Sequence, residues 1–244
     1  MKNKISHRVL EFANMVSRVP GLKRILKPLY YPYKSYVRRK RNAVFHKNAL
    51  KLLKEFDSCC EENGISYSLA FGTMLGAVRE HGFIKHDIDI DVFIRIEDNN
   101  EGISKLLEQN GFKLDHLFLV ENGALGREET YCKHDVLIDV FYIFPPVDVL
   151  SYTCDFKAYQ GMVTWQKSQK VKGGVLARRI EIPISKNTIK MKFEDLLLPV
   201  PDNYDEFLRF RYGDSYMTPD PSWYNGNNPH IIEWNEKKAI FKEF

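Results

Sequence analysis
The chain is poor in cysteine, lacks any long apolar run and has a single acidic residue, Glu11, among residues 1 to 47. Its four cysteines, Cys59, Cys60, Cys132 and Cys154, form no C-x-x-C pair. That excludes the common zinc and dithiol motifs and leaves buried free thiols as the expectation. The longest stretch without a charge, Asn63 to Val78, includes Gly72, Thr73 and Gly76 and falls short of the roughly 20 apolar residues needed to span a bilayer. The early apolar pattern is broken by Arg8, Glu11 and Asn14 and no small-residue cleavage site follows, so no signal peptide is expected. Repeats and low-complexity tracts are absent too. What is present, 244 residues that are 44% hydrophobic and 13% aromatic, suffices for one compact core in a cytoplasmic protein.

The scarcity of acid at the start creates a strong asymmetry. Residues 1 to 47 hold thirteen Lys or Arg and carry +12, so with +4 overall the other 197 residues carry −8. Ile5, Val9, Phe12, Val16 and Val19 recur at steps of four and three, one face of a helix that Pro20-Gly21 ends. The charge run Arg38-Arg39-Lys40-Arg41 closes this segment. Residues 1–41 read as a basic helical arm, either lying on an anionic membrane on its cytoplasmic side or packed on the domain with a solvated polar face.

From residue 42 the chain reads as one α+β domain, 42–244. Ala49, Leu52, Leu53, Phe56 and Cys60 have helical spacing, and Asn63-Gly64 ends that helix. A strand is expected from Ile65 to Phe71, a break at Gly72-Thr73, a short helix from Met74 to Arg79, and a strand from Asp87 to Ile96. A helix between Asn99 and Asn110 and strands at 112–120, near Thr130 and at 136–144 follow. Residues 151–192 read as strands and turns, and a helix capped near Asp202 runs to Tyr212-Gly213.

The strand at 87–96 carries the chemistry. Period two sets Asp87, Asp89 and Asp91 on one face and Ile88, Ile90, Val92 and Ile94 on the other. Like charges ~7 Å apart destabilise a strand unless something neutralises them. Oxygen donors without His or Cys suit Mg²⁺ or Mn²⁺, and Mg²⁺ takes few carboxylates together with substrate phosphates. The alternative is an exposed acidic face with no metal. The preceding Gly72-Thr73 adds amides and a hydroxyl where a phosphate could sit.

Gly72-Thr73, thirteen residues and then Asp87-Ile88-Asp89 resembles the signature of the nucleotidyltransferase (polymerase β-like) fold, a mixed β-sheet flanked by helices. The longer run from Phe71 through Arg79 to Val92 is similar to the core motif of the LicD family, which includes the fukutins. Leu137-Ile-Asp139-Val-Phe-Tyr-Ile and the segment Val200 to Asp214 resemble two later motifs of that family. The sequence departs from the family pattern at Glu80, His86 and Ile88.

The resemblance implies transfer of a phosphorylated alcohol from a CDP-activated donor to a glycan or a lipid-linked glycan precursor. It implies Asp87, Asp89 and Asp139 as catalytic metal ligands, with Asp139 as third ligand or proton acceptor. Gly72 and Thr73 would grip a phosphate, Arg79 and Lys85 would balance charge, and Asp91 would be a ligand or a supporting partner. His81, His86 and His134 read as hydrogen-bonding or packing residues, and Tyr204, Phe207 and Tyr212 as core. Trp223, Tyr224, Trp234 and the run Asn225 to Asn228 suit either a sugar site or simple packing. Two other readings stay open: adenylyl transfer to a small molecule, and a nucleic-acid-binding protein using the basic arm. The acidic body argues against nucleic acid.

Overall fold
The computed structural model describes residues 22–98, 102–147, 149–162, 164–223 and 228–244. The expected helix at 5–19 lies outside them. Helix α1, Leu22–Glu62, runs unbroken through the boundary expected at 41/42, so the charge run and the first core helix share one rod. Phe45, Ala49, Leu52, Leu53 and Phe56 on one side of α1 are fully buried. Burying a large apolar side chain contributes about 1.5–3 kcal/mol, so this stripe anchors the helix. Gly64, in the left-handed region at φ +64°, ends it, and Ile65 N–H donates to Cys60 O at 2.9 Å.

The remaining elements are β1 (Ser68–Leu69), α2 (Phe71–Arg79), β2 (Asp89–Arg95), α3 (Gly102–Gln109), β3 (Lys113–Val120), β4 (Gly126–Lys133), β5 (Val136–Ile143), β6 (Ser151–Lys157), α4 (Trp165–Lys172), β7 (Val175–Ile182), β8 (Thr188–Phe193), β9 (Leu196–Pro201), α5 (Tyr204–Tyr212) and β10 (Ile231–Glu243). Eight strands form one mixed sheet in the order β1-β2-β5-β4-β3-β10-β7-β6, and β8 pairs with β9 in a separate hairpin. Among the described residues only the β2–β5 pair is parallel. A bridge between Phe144 and Tyr152 brings the end of β5 to β6, so the sheet curls back on itself. The α+β expectation of a mixed sheet flanked by helices holds at this level.

The two faces of the sheet differ in chemistry. Ile90, Val92, Ile94, Ile138, Val140 and Tyr142 are buried at alternating positions against the side where α1 packs. On the other face lie Asp89, Asp91, Leu137, Asp139, Glu128 and Thr130, joined by registers that pair Asp91 with Asp139, Asp139 with Thr130 and Thr130 with His116. The strand expected over 65–71 shortens to Ser68–Leu69 because α2 begins at Phe71. Helix α4 stands within 151–192, where strands and turns were expected, and strand β9 and the long β10 stand where no regular element was expected.

Candidate active site
The front-face carboxylates are gathered by β2, β5 and the first turn of α2. Asp89 and Asp91 take alternate positions on β2, and Asp139 on β5 lies across from Asp91. Asp87 lies outside the strand, a correction to the expected three-acid face. Its Oδ2 accepts the Ile84 N–H at 3.0 Å while its own N–H donates to Ile84 O at 2.9 Å. An aspartate caps a turn readily because its short carboxylate reaches nearby amides, and here that wins over extending the strand.

Helix α2 enters at Phe71, whose φ of +35° is unusual for a residue with a side chain. Ring packing holds it there: Phe93 and Phe141 stand 5.0 and 4.9 Å away edge to face, and the Arg211 guanidinium lies 5.4 Å over the ring. The bend aims the helix N-terminus at Asp91. Gly72 N–H donates to Asp91 Oδ2 at 3.1 Å, and Asp91 N–H donates to Thr73 Oγ at 2.9 Å. A Cβ on Gly72 would stand 3.4 Å from Asp91 Oδ2 and 4.0 Å from Asp87 Oδ1, ordinary contact distances that place this residue directly against both carboxylates. Gly72 and Thr73, read from the sequence as a phosphate grip, are here engaged with Asp91.

Asp139 is held in the same manner, since the Thr130 hydroxyl donates to its Oδ1 at 2.6 Å. Thus Asp87, Asp91 and Asp139 each have one oxygen fixed by a donor, and among the described residues the other oxygen makes no hydrogen bond.

Electrostatics mark the cluster as crowded. Burial pushes the Asp87 carboxyl up to about 7; the Ile84 N–H opposes this, Asp89 adds to it and Arg79 opposes it. Asp139 is pushed up to about 6 by burial and by Asp89, against the Thr130 hydrogen bond, His116 and Arg41. Burial also raises Asp89, with Arg41 opposing. Asp91 stands well above the carboxylate range through burial and the charges of Asp89, Asp139 and Asp87. Glu128, on the same face of β4 and missed in the sequence, is raised well above its usual range by burial and by Asp139, Asp155 and Asp91.

Of the other expected residues, Arg79 is mostly buried, pairs with Glu80 at 2.9 Å and stands close enough to bias Asp87. The Lys85 side chain is exposed. Its carbonyl accepts hydrogen bonds from Asn42 Nδ2 and His46 Nε2, both at 3.0 Å, and Asn42 also donates to Asp87 O at 2.9 Å. Asn42 and His46 thus tie α1 to the carboxylate loop, and no local pattern announces this, since polar residues on a helix are commonplace. His81 and His86 are exposed, and His134 at the β4–β5 turn sits 3.0 Å from Glu55 of α1. Phe207 is buried against Phe71 and Phe93, with Tyr204 and Tyr212 packed on the core. Trp223 packs on Tyr212 and Trp234 on Tyr152, while 224–227 lie outside the described residues.

No group of three or more His, Cys, Asp or Glu side chains forms a ready-made metal cage among the described residues. The donor set nevertheless fits a hard cation that arrives with a phosphate ligand. Mg²⁺ typically takes one or two carboxylates and completes its shell with phosphate and water. Carboxylates with one oxygen tied and one left over suit that coordination, and a cation would relieve the repulsion that helps to raise Asp87, Asp91 and Asp139.

Fold and site together define a mixed α+β domain with a helix-capped carboxylate cluster on the inner face of a curled sheet. Residues 64–203 match the family model described as LicD/FKTN/FKRP, nucleotidyltransferase domain. The chain belongs to this family. It is 24% identical over 208 residues to the ribitol-5-phosphate transferase FKTN of Mus musculus, covering 81% of this chain and 41% of that relative. It is 51% identical over 45 residues to the lipopolysaccharide cholinephosphotransferase LicD of Haemophilus influenzae, covering 18% of this chain and 17% of that one. The chain therefore spans about 41% of the length of the fukutin it matches.

Proposed function
We propose that this domain transfers a phosphorylated alcohol, phosphocholine or a polyol phosphate, from a CDP-activated donor to a hydroxyl of a cell-surface glycan or its lipid-linked precursor. The observation that carries this is the row of half-tied carboxylates at the N-terminus of α2, in a family whose named members include a ribitol-5-phosphate transferase and a cholinephosphotransferase. Asp87, Asp89 and Asp139 would hold Mg²⁺ or Mn²⁺. When bound, the cation supplies charge neutralisation on the diphosphate as CMP leaves.

The rest falls to the chain itself. Asp91 fastens β2 to α2 through its bonds with Gly72 and Thr73 and so fixes the helix N-terminus against the acids. Arg79 places positive charge beside Asp87 where phosphate oxygens would arrive. As the acceptor oxygen bonds to phosphorus and the bond to CMP breaks, the acceptor proton must go to a base, and Asp139 is poised for it, its carboxyl lying nearer neutrality than an ordinary aspartate. The nucleotidyltransferase fold is the framework this reading assumes.

A thermal-shift panel with Mg²⁺ tests the donor. A CDP-alcohol should raise the Tm more than ATP does, because a ligand bound only by the folded state stabilises it by mass action. A clear shift with ATP and none with CDP-choline, CDP-ribitol or CDP-glycerol would favour adenylyl transfer instead.

No helix among the described residues is long and apolar enough to cross a membrane. The basic segment 1–41 would instead hold the domain against anionic lipid. Replacing Arg38, Arg39 and Lys40 by Glu should release the protein from phosphatidylglycerol vesicles at low salt, each cation near the surface being worth about 1 kcal/mol. Equal sedimentation of both proteins would sink the idea.

A further inference from the structure
Asp139 is the end of a hydrogen-bonded chain that runs across three strands. The Thr130 hydroxyl, on a residue only 1% exposed, donates its one proton to Asp139 Oδ1 at 2.6 Å. Its oxygen must then act as acceptor towards its other neighbour, His116 Nε2, at 3.2 Å. On the far side of the same ring, Asp115 Oδ2 stands 2.9 Å from Nδ1. The strand registers explain the alignment, because Asp139 pairs with Thr130 and Thr130 with His116, which puts all three side chains in one row on one face. The imidazole is also walled by rings: Phe118 stands edge-on at 5.5 Å, Trp165 is tilted at 5.5 Å and Phe241 lies at 5.8 Å. A histidine clamped by Asp115, Thr130 and three aromatic neighbours has little freedom to turn, so the direction of the Thr130 hydroxyl is imposed from β3.

We infer that Thr130 and His116 are positioning residues for phosphoryl transfer: they lock Asp139 Oδ1 and thereby turn Oδ2 towards Asp89 and the reacting groups. This rests on the phosphotransferase reading. Neither residue touches substrate, and both act through Asp139. Loss of a partner that orients a metal-binding carboxylate typically costs roughly 10- to 100-fold in activity or metal affinity.

Two experiments on the full chain test it, one without any substrate. With ¹⁵N-labelled histidine, the ring signals of His116 should move when Asp139→Asn is introduced, and should no longer respond to that change in a Thr130→Val background. Insensitivity of the His116 ring to Asp139→Asn in an otherwise wild-type, folded protein would overturn the relay, whether or not any donor has been found. With a working donor, Thr130→Val and His116→Phe should each lower kcat roughly 10-fold or more while leaving the donor KM nearly unchanged. Thr130→Ser should restore most of the loss, and the Thr130→Val/His116→Phe double variant should be no worse than Thr130→Val alone, since residues acting in series are not additive. Multiplying effects, or a wild-type kcat for Thr130→Val, would defeat the proposal. Absence of turnover with every CDP-alcohol alongside an intact His116 response would instead count against the donor assignment and leave the relay standing.

Discussion

Glu128 and Glu129 are adjacent on β4 and face opposite sides of the sheet. Glu129, 1% exposed, is fully provided for. Its Oε1 accepts from Arg127 Nε at 2.9 Å, from Arg127 Nη2 and from Ser104 at 3.2 Å, and its Oε2 accepts from the Tyr131 and Tyr142 hydroxyls at 2.8 and 2.9 Å. Glu128 has no hydrogen bond or ion pair among the described residues and shares its face with Asp139 and Asp91. A buried charge kept for architecture is paired and hydrogen-bonded, because an uncompensated one is costly. Acids left to repel one another stand where a ligand completes the balance. The back face is finished without a partner; the front face is not.

That contrast can be broken from either side. The largest effect on activity is expected at the front: Asp89→Asn should reduce transfer by ~10³-fold or more, the scale on which a key electrostatic group is lost. Its Tm should stay level or rise by a few degrees as repulsion is relieved. Near-normal turnover with saturating donor and Mg²⁺ would refute the role. At the back, Glu129→Leu should do the reverse, costing about 3 kcal/mol by leaving Arg127 and two tyrosine hydroxyls without their acceptor. Calorimetry should show a Tm lower by roughly 10 °C for a domain of this size, with turnover per folded molecule unchanged. A smaller effect is expected where the two halves are joined. Asn42→Ala removes the donor to Lys85 O and Asp87 O, and at about 1 kcal/mol for lost hydrogen bonds should lower kcat several-fold. A steady-state assay showing no change would mean that the loop holds its shape without α1.

The same contrast explains what could be read from the sequence. The alternation that marks Asp89 and Asp91 on one face and Ile90 and Val92 on the other is a local property of a strand, and so is the spacing of Leu52, Leu53 and Phe56 on α1. Asp139 was legible through the motif that carries it. The partners of these acids were not, because Thr130, His116 and Asn42 reach the site through registers and contacts between elements distant in sequence. Period two sets Asp87 on the strand, yet its carboxylate accepts the Ile84 amide and closes a turn. Gly72 and Thr73 stand out in the sequence, and their bonds to Asp91 within the chain come from the pairing of α2 with β2.

Elsewhere the local signals are weak or contrary. Helix α4 has no apolar stripe and is defined by its ends, where Thr164 accepts the Lys167 N–H and Gly173 turns into the left-handed region. Strand β9 contains Pro199 and Pro201, tolerable because it lies in a two-stranded hairpin. Strand β10 is rich in Lys and Glu, yet it fills the gap between β3 and β7 with a bulge between Glu233 and Lys238. Tertiary pairing decided the two strands.

The most direct test of the unpaired front-face acids is the melting temperature between pH 5 and pH 8, with and without millimolar Mg²⁺, for the wild type and Asp89→Asn. Asp87 and Asp139 titrate near 7 and 6 in the folded protein against 3.8 for an ordinary aspartate. The folded state therefore holds these protons more tightly than the unfolded chain, so their contribution to stability is lost as pH rises from about 4 through 7. Carboxylates held below their usual range, such as Asp205 and Asp220, act in the opposite sense but at lower pH. The wild type should melt lower at pH 8 than at pH 5, and Mg²⁺ should recover the difference at pH 8 and do little at pH 5, where protons compete for the same oxygens. Asp89→Asn should shrink both effects. A wild-type Tm that does not fall between pH 5 and pH 8 and does not respond to Mg²⁺ at pH 8 would contradict the claim that these carboxylates are held apart for a cation.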